Sequence, residues 1–314
     1  MRGSTPVSGI GETGAAEIAE GAVGAAERRP GERLRRLGVL LRRQPLGALG
    51  LLVVVVLILT AILAPWISPY DPLKADTLAL RESPSLSHPF GTDQMGRDVL
   101  SRVIHGARLS VGVSFAVVGI SACVSTLLGI IAGYYQRWPD YLLQRTGEFF
   151  SAFPGLIFLM LLISILGASV MNLMIALTLP VALYGGSRVI RGATISIKQN
   201  QYIEAARAMG ASDARIILRH ILPNVLPLTI VGATTGLGGV ILALAALGYL
   251  GLGVPPPTPD WGSDLSGQAR TFFRIAPWIA IYPGLAISLT VLGFNLFGDS
   301  LRDLLDPRLR GRGG

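Results

Sequence analysis

Charged residues cluster along this chain, and long stretches between the clusters carry none. Between Arg43 and Asp71 lie 27 uncharged residues, and between Arg108 and Arg137 lie 28. Glu148 to Arg188 and His220 to Asp260 each enclose 39, and Arg274 to Asp299 enclose 24. An ionised group in hydrocarbon costs about 2.5–3.5 kcal/mol, and about 20 apolar residues cross the bilayer core as a helix. The first, second and fifth stretches therefore predict one transmembrane helix each, the first over 46–68.

The two long stretches need separate treatment. In 149–187, Gly167-Ala168-Ser169 and Asn172 interrupt the apolar run near its middle, which predicts a turn between two spans. In 221–259, Pro255-Pro256-Pro257 and Pro259 cannot continue a helix, so one span over about 223–250 ends near Gly253. The prediction is an all-α polytopic membrane protein with six transmembrane helices.

Charge tests that count. With a cytoplasmic N-terminus, segments 1–45, 134–148, 188–222 and 299–314 lie inside and hold 20 basic and 12 acidic residues. The outside segments 69–108 and 251–278 hold 7 of each. The whole +8 excess falls on one side, as the positive-inside rule requires. Merging the spans within 149–187 would put the basic segment 188–222 outside, so six spans with both termini cytoplasmic is the consistent reading. The basic balance needs no nucleic acid to explain it.

Composition agrees and removes several functions. The 314 residues are 51% hydrophobic and only 15% charged, with a mean hydropathy of +0.55, whereas a soluble domain carries about 25% charged residues. The single cysteine, Cys123, excludes a disulfide framework and any multi-cysteine metal site. His88, His105 and His220 are scattered and lack metal-ligand spacing. Neither lysine, Lys74 or Lys198, follows a glycine, so the phosphate-binding G-x-x-x-x-G-K-[ST] loop is absent. At the ends, 1–45 reads as a cytoplasmic tail, with a disordered Gly-, Ala- and Glu-rich start and a basic helix over 32–43. The first span is too long, and begins too late, for a cleavable signal peptide and is expected to be an uncleaved anchor.

Chemistry is concentrated in the inside loop 193–222. Asn200 is a good N-cap, Glu204 suits the early turns and Gly210 a C-terminal stop, which predicts a helix over 201–209. Ser212 or Asp213 then caps a second helix feeding the span at Pro223. A helix this short is marginal alone in water, so something must hold it. Ala205, Ala206 and Ala208 offer a smooth, narrow surface, flanked by Arg207, Arg215 and Arg219. On these residues alone, a lipid-facing amphipathic helix and a helix that plugs into a soluble motor are equally acceptable.

A resemblance separates the two. Glu204-Ala205-Ala206, Arg207, Ala208, Met209, Gly210 and Leu222-Pro223 resemble the signature loop of ABC-importer permeases in sequence and spacing. The general pattern has isoleucine where His220 stands, but His220-Ile221-Leu222-Pro223-Asn224 is similar to the peptide-importer branch. The segment from His88 through Gly91-Thr92-Asp93 and Gly96-Arg97-Asp98 to Arg102 resembles the one before the core spans in C-type dipeptide and oligopeptide permeases. Leu250-Gly251-Leu252-Gly253 through Asp260-Trp261-Gly262 resembles their last outer loop, and Asp306-Pro307-Arg308-Leu309 their ending.

The resemblance implies a type I ABC-importer permease fold in the bacterial inner membrane. It divides the chain into an anchor at 46–68, an external segment at 69–105, a five-span core at 106–298 and a cytoplasmic basic tail at 299–314. It implies a heterodimer with a second permease, ATPase subunits or a fused ATPase, an extracytoplasmic solute-binding protein and a peptide substrate. ATP and Mg would sit on the ATPase partners, with no cofactor bound and no catalysis in this chain. Helix 201–209 would couple to the motor. Asp93, Arg97, Asp98, Asp260 and Trp261 either pack the outer segments or touch the binding protein or partner permease, with Asp93 and Arg97 spaced to pair on one helical face. Gly129-x-x-x-Gly133 and Gly232-x-x-x-Gly236 permit close helix approach, within the chain or to a partner. Close relatives carry nickel chelates, glutathione or other small solutes, which leaves substrate open. A secondary transporter is the competing class, disfavoured because the proposed spans contain no Asp or Glu.

Overall fold

The computed structural model describes residues 45–305; the expected tail helix at 32–43 and the ending at 306–309 lie outside them. Among the described residues every regular element is helical, apart from one isolated bridge between Thr92 and Asp98. Helix α1 spans Pro45–Ile67. It crosses the last helix, α10 (Trp278–Leu305), where glycines face each other. A Cβ on Gly50 would lie 2.6 Å from the Phe297 nitrogen, and one on Gly293 2.6 Å from Val53 Cγ1.

Helix α2 (Val99–Tyr135) has 37 residues and runs about 55 Å at the standard rise. It starts ten residues before the charge-free stretch. Counting charges misses those turns because they carry Arg102, which is paired with Asp264 far along the chain, and the exposed Arg108. Gly129 and Gly133 let α2 lie directly on helix α5 (Val170–Lys198). Added Cβ atoms would meet Ile190 Cβ and Thr194 Cβ at 2.7 Å, so this glycine pair serves packing within the chain. Gly232 and Gly236 face open space.

The expected pair of spans in 149–187 takes a different form. Helix α3 (Arg137–Ser151) and helix α4 (Gly155–Leu166) are bent by 92° across the break at Ala152, Phe153 and Pro154. With 12 residues, α4 extends about 18 Å against a hydrocarbon core of about 30 Å. Among the described residues, five helices are long and apolar enough to cross alone, and six spans result if the bent pair counts as one. The predicted turn at Gly167 is present, with φ +86°, and Ser169 caps α5 by accepting from the Asn172 amide. Helix α5 continues past Arg188 because Arg191 is paired with Asp140 of α3. It widens to π geometry over Val181–Gly186, directly after Pro180, whose missing N–H interrupts the regular ladder.

Helix α6 (Gln201–Ala208) follows, then helix α7 (Asp213–Tyr249), with a π turn over Ile217–Ile221. That turn precedes Pro223, and Asn224 Nδ2 donates to the His220 carbonyl at 2.6 Å. Short helices α8 (Trp261–Asp264) and α9 (Gly267–Phe272) lead into α10. The main core joins Val54 of α1, Val117 of α2, Leu173 of α5, Leu244 of α7 and Phe294 of α10. At membrane depth such contacts stabilise through close packing, because lipid tails are as apolar as the side chains. Ion pairs and hydrogen bonds gather segment 69–98 and loop 251–277 into a cap at one end. The 193–222 loop forms the opposite end, beside the last turn of α2.

Candidate functional site

Helix α6 begins after Asn200, whose backbone is extended (φ −75°, ψ 141°) but whose side chain makes no capping bond. Its C-terminal end is closed by backbone alone. The Gly210 amide donates to the Arg207 carbonyl at 2.9 Å and the Ala211 amide to the Ala206 carbonyl at 3.0 Å, the two bonds of a Schellman motif. Gly210 sits at φ +82° with open space where a Cβ would point, so the need for glycine is conformational rather than steric. Ser212, rather than Asp213, caps α7, its hydroxyl accepting from the Arg215 amide at 3.4 Å.

Two residues one helical turn apart hold α6 down. Ile203 is 0% exposed, set into a cluster with Ile130, Tyr134, Ile190, Ile216, Ile221 and Val225, and Ala206 is 6% exposed. This is what an eight-residue helix requires, since alone it would not stay folded. Ala206 therefore belongs to the inner face, and the outward surface is Glu204, Ala205, Arg207, Ala208, Met209 and Gly210. Met209 is 82% exposed, an apolar knob beside small residues. Leu222 and Pro223 lie off this surface in the first turn of the straight part of α7.

A polar frame surrounds the helix. Tyr134, 3% exposed in the last turn of α2, donates its hydroxyl to Asp213 Oδ1 at 2.5 Å and accepts from Arg207 Nη2 at 3.4 Å. Lys198 Nζ donates to the Tyr134 carbonyl at 2.6 Å and lies 5.1 Å from its ring centre. Tyr134, Lys198 and the Asp140–Arg191 pair were not singled out in the sequence, where a tyrosine ending an apolar helix carries no distinguishing pattern.

At the cap, Asp93, Arg97, Asp98, Asp260 and Trp261 come to one end of the molecule and are all buried, between 1% and 8% exposed. Asp93 and Arg97 pair at 2.6 Å, but across a tight turn rather than along a helix. Asp93 Oδ1 also accepts from the Met95 and Arg97 amides. Asp98 caps α2, accepting from the Ser101 amide at 2.7 Å, and its other oxygen lies 3.0 Å from His88 Nδ1. Arg102, for which the sequence suggested no role, joins the pieces. Its guanidinium donates to Asp264 Oδ1 at 2.5 Å and to the carbonyls of Pro72 and Pro257. Trp261 donates from Nε1 to the Val103 carbonyl at 2.9 Å, and its ring fills the space beside Gly106, where a Cβ would come within 2.6 Å.

A cavity of about 390 Å³ opens in this cap, lined by Asp93, Arg97, Arg102, Val254, Asp264 and Pro283 among others. Asp260 Oδ1 and Asp264 Oδ2 are buried without hydrogen-bond partners. Burial pushes both carboxyl groups above the ordinary carboxylate range, against the pull of Arg102. Among the described residues, no three His, Cys, Asp or Glu side chains are grouped to hold a metal ion.

Residues 125–311 match the family described as binding-protein-dependent transport system inner membrane component. Residues 39–84 match the N-terminal TM domain of oligopeptide transport permease C. The chain is 43% identical over 271 residues to the dipeptide transport system permease protein DppC of Alkalihalophilus pseudofirmus, covering 86% of this chain and 88% of that one. It is 45% identical, over 86% of its own length and 89% of theirs, to the glutathione transport system permease proteins GsiD of Escherichia coli and Shigella boydii. With apolar helices enough for five to six crossings and a signature loop folded as a closed, outward-facing helix, the chain belongs to the binding-protein-dependent ABC permeases, as a multi-pass protein of the bacterial inner membrane.

Proposed function

We propose that this chain is one permease subunit of an ATP-driven peptide importer. It pairs with a second homologous permease, receives substrate from an extracytoplasmic solute-binding protein, and is driven by cytoplasmic ATPase subunits or a fused ATPase. The chain itself performs no catalysis and binds no cofactor; ATP and Mg act on the partners. Both termini and loop 193–222 face the cytoplasm, and segment 69–105 faces outward.

The observation that carries this reading is the division of α6 into two faces. Ile203 and Ala206 fix it to the protein's own core, while Glu204, Ala205, Arg207, Ala208 and Met209 stand outward, ready to enter a groove of an ATPase. A helix held on one side and presented on the other passes force from a motor to the spans behind it. At the other end, Asp93, Arg97, Asp98, Asp260 and Trp261 act chiefly by holding the cap in shape, and Arg97 and Asp93 reach ligand or partner only through the cavity they line.

Glutathione is the second substrate reading, favoured by relatives of that name at an identity equal to or above the dipeptide permease's. The test is ATP hydrolysis by the reconstituted complex with its binding protein, across peptides of differing length, glutathione and nickel chelates. Stimulation by peptides supports the leading reading, and stimulation by glutathione alone selects the second. If no ATPase assembles with the permease pair, the coupling role of α6 is wrong.

A further inference from the structure

We infer that Tyr134 is the positioning residue that locks the coupling helix to α2, and that α2 is the rod through which the cap and the ATPase-facing loop act on one another. The inference rests on the coupling role proposed for α6 and names the contact that makes it work.

One helix reaches both ends. At the cap, Asp98 caps α2, Arg102 ties its first turn to Asp264 and to the Pro72 and Pro257 carbonyls, and Trp261 is bonded to the Val103 carbonyl. Gly106 leaves no room between α2 and the Trp261 ring, so the cap and these first two turns move together. At the far end, Gly129 and Gly133 leave equally little room against α5. Packed helices of this kind shift as bodies rather than bend.

The rod ends on Tyr134, which touches three consecutive pieces of the loop. Its carbonyl takes Lys198 at the end of α5, its hydroxyl accepts from Arg207 on α6, and the same hydroxyl donates to Asp213 at the start of α7. Beyond it, Gln136 and Arg137 have φ of +56° and +51°, so the chain turns away sharply and no further helical turn overlays the contact. Ile203 and Ala206 supply apolar adhesion, which is non-directional; the hydroxyl between a cation and a carboxylate fixes the rotation of α6 about its own axis. Rotation decides whether Ala205, Ala208 and Met209 face the ATPase.

The test uses the full complex with its binding protein, in lipid. Tyr134→Phe keeps the buried ring and the Lys198 contact and removes the hydroxyl. The ratio of ATP hydrolysis with loaded binding protein to hydrolysis without it is expected to fall about tenfold, the factor that one hydrogen bond to a charged group makes in an equilibrium constant. ATP consumed per substrate imported rises correspondingly. Asp213→Ala is expected to act in the same direction and to add little in the Tyr134→Phe background, because Tyr134→Phe already breaks the Tyr134–Asp213 bond together with the one from Arg207. A purely structural role would lower abundance and both rates together, leaving the ratio unchanged, and that result overturns the inference.

A second measurement stands apart from transport. In the purified permease pair with its ATPases, Tyr134→Phe should speed amide exchange at residues 205–209 about tenfold relative to α1. If the wild-type complex ignores every loaded binding protein tried, the proposed function fails while this exchange result still reports the lock. If exchange at 205–209 is unchanged, the lock itself is refuted.

Discussion

Removing the Ile203 side chain is the sharpest way to ask what holds helix α6. Ile203 is 0% exposed, enclosed by Ile130, Tyr134, Ile190, Ile216, Ile221 and Val225. Truncating a fully enclosed isoleucine to alanine costs about 2–5 kcal/mol, combining lost burial with the cavity left behind. Helix α6 has eight residues and two inward side chains, so almost none of that loss can be made up by the helix itself. Ile203→Ala should therefore favour local opening of α6 by about 30- to 3,000-fold, at 1.4 kcal/mol per factor of ten. Ile203→Val, costing about 0.5–1.5 kcal/mol, should give at most about tenfold. Amide exchange followed by mass spectrometry on the purified complex reads this directly at residues 205–209, with α1 amides as the internal control. Exchange raised less than about threefold in Ile203→Ala, or raised equally in α1, would refute the view that Ile203 anchors this helix locally.

Two further substitutions probe the same framework. Gly210→Val places a β-branched residue at φ +82°, where nothing crowds its side chain but the backbone is strained by at least about 1–2 kcal/mol; transport should be lost at unchanged membrane abundance, scored by uptake against immunoblot. Asp260 gives a pH dependence. Its carboxyl has a raised pKa because it is buried, so the folded cap prefers the protonated form, and ionisation costs stability as pH rises above the ordinary value of 3.8. Asp260→Asn can still cap α8 and carries no charge, so its Tm advantage over the wild type should grow as pH is raised from 4 toward neutrality and then level off.

The spans were legible because membrane burial leaves a strong mark: charge is excluded for 20 residues or more, and the intervals in the sequence show it. The loop helices were legible from their ends, with Asn200 before α6, Gly210 after it and Ser212 capping α7, although the Asn200 side chain makes no capping bond. What the pattern could not show is any structure that depends on distant partners. Helix α2 begins inside a charged segment, capped by Asp98 and with Arg102 held by Asp264, 162 residues away. The break at Ala152, Phe153 and Pro154 sets the helix of the expected inside segment at 92° to the short span that follows, since hydropathy is blind to direction. Ala206 counted toward an outward stripe when only its size was considered, but helical spacing from Ile203 turns it inward. Asp93 and Arg97 have the spacing of a helical pair, yet a tight turn closes the same separation. Tyr134 gave no signal at all, because its role is defined by Lys198, Arg207 and Asp213 converging on it.

On the proposed function, the outer face of α6 is where an ATPase engages this permease. A photo-crosslinking amino acid placed at Ala205 or Met209, in the assembled complex in its native membrane, tests it most directly. The expected result is an adduct with an ATPase subunit from both positions and none from Leu78, which is 93% exposed in segment 69–98 at the opposite end of the molecule. Absence of an ATPase adduct at Ala205 and Met209 in a complex shown to hydrolyse ATP, or capture of the ATPase at Leu78, would contradict it.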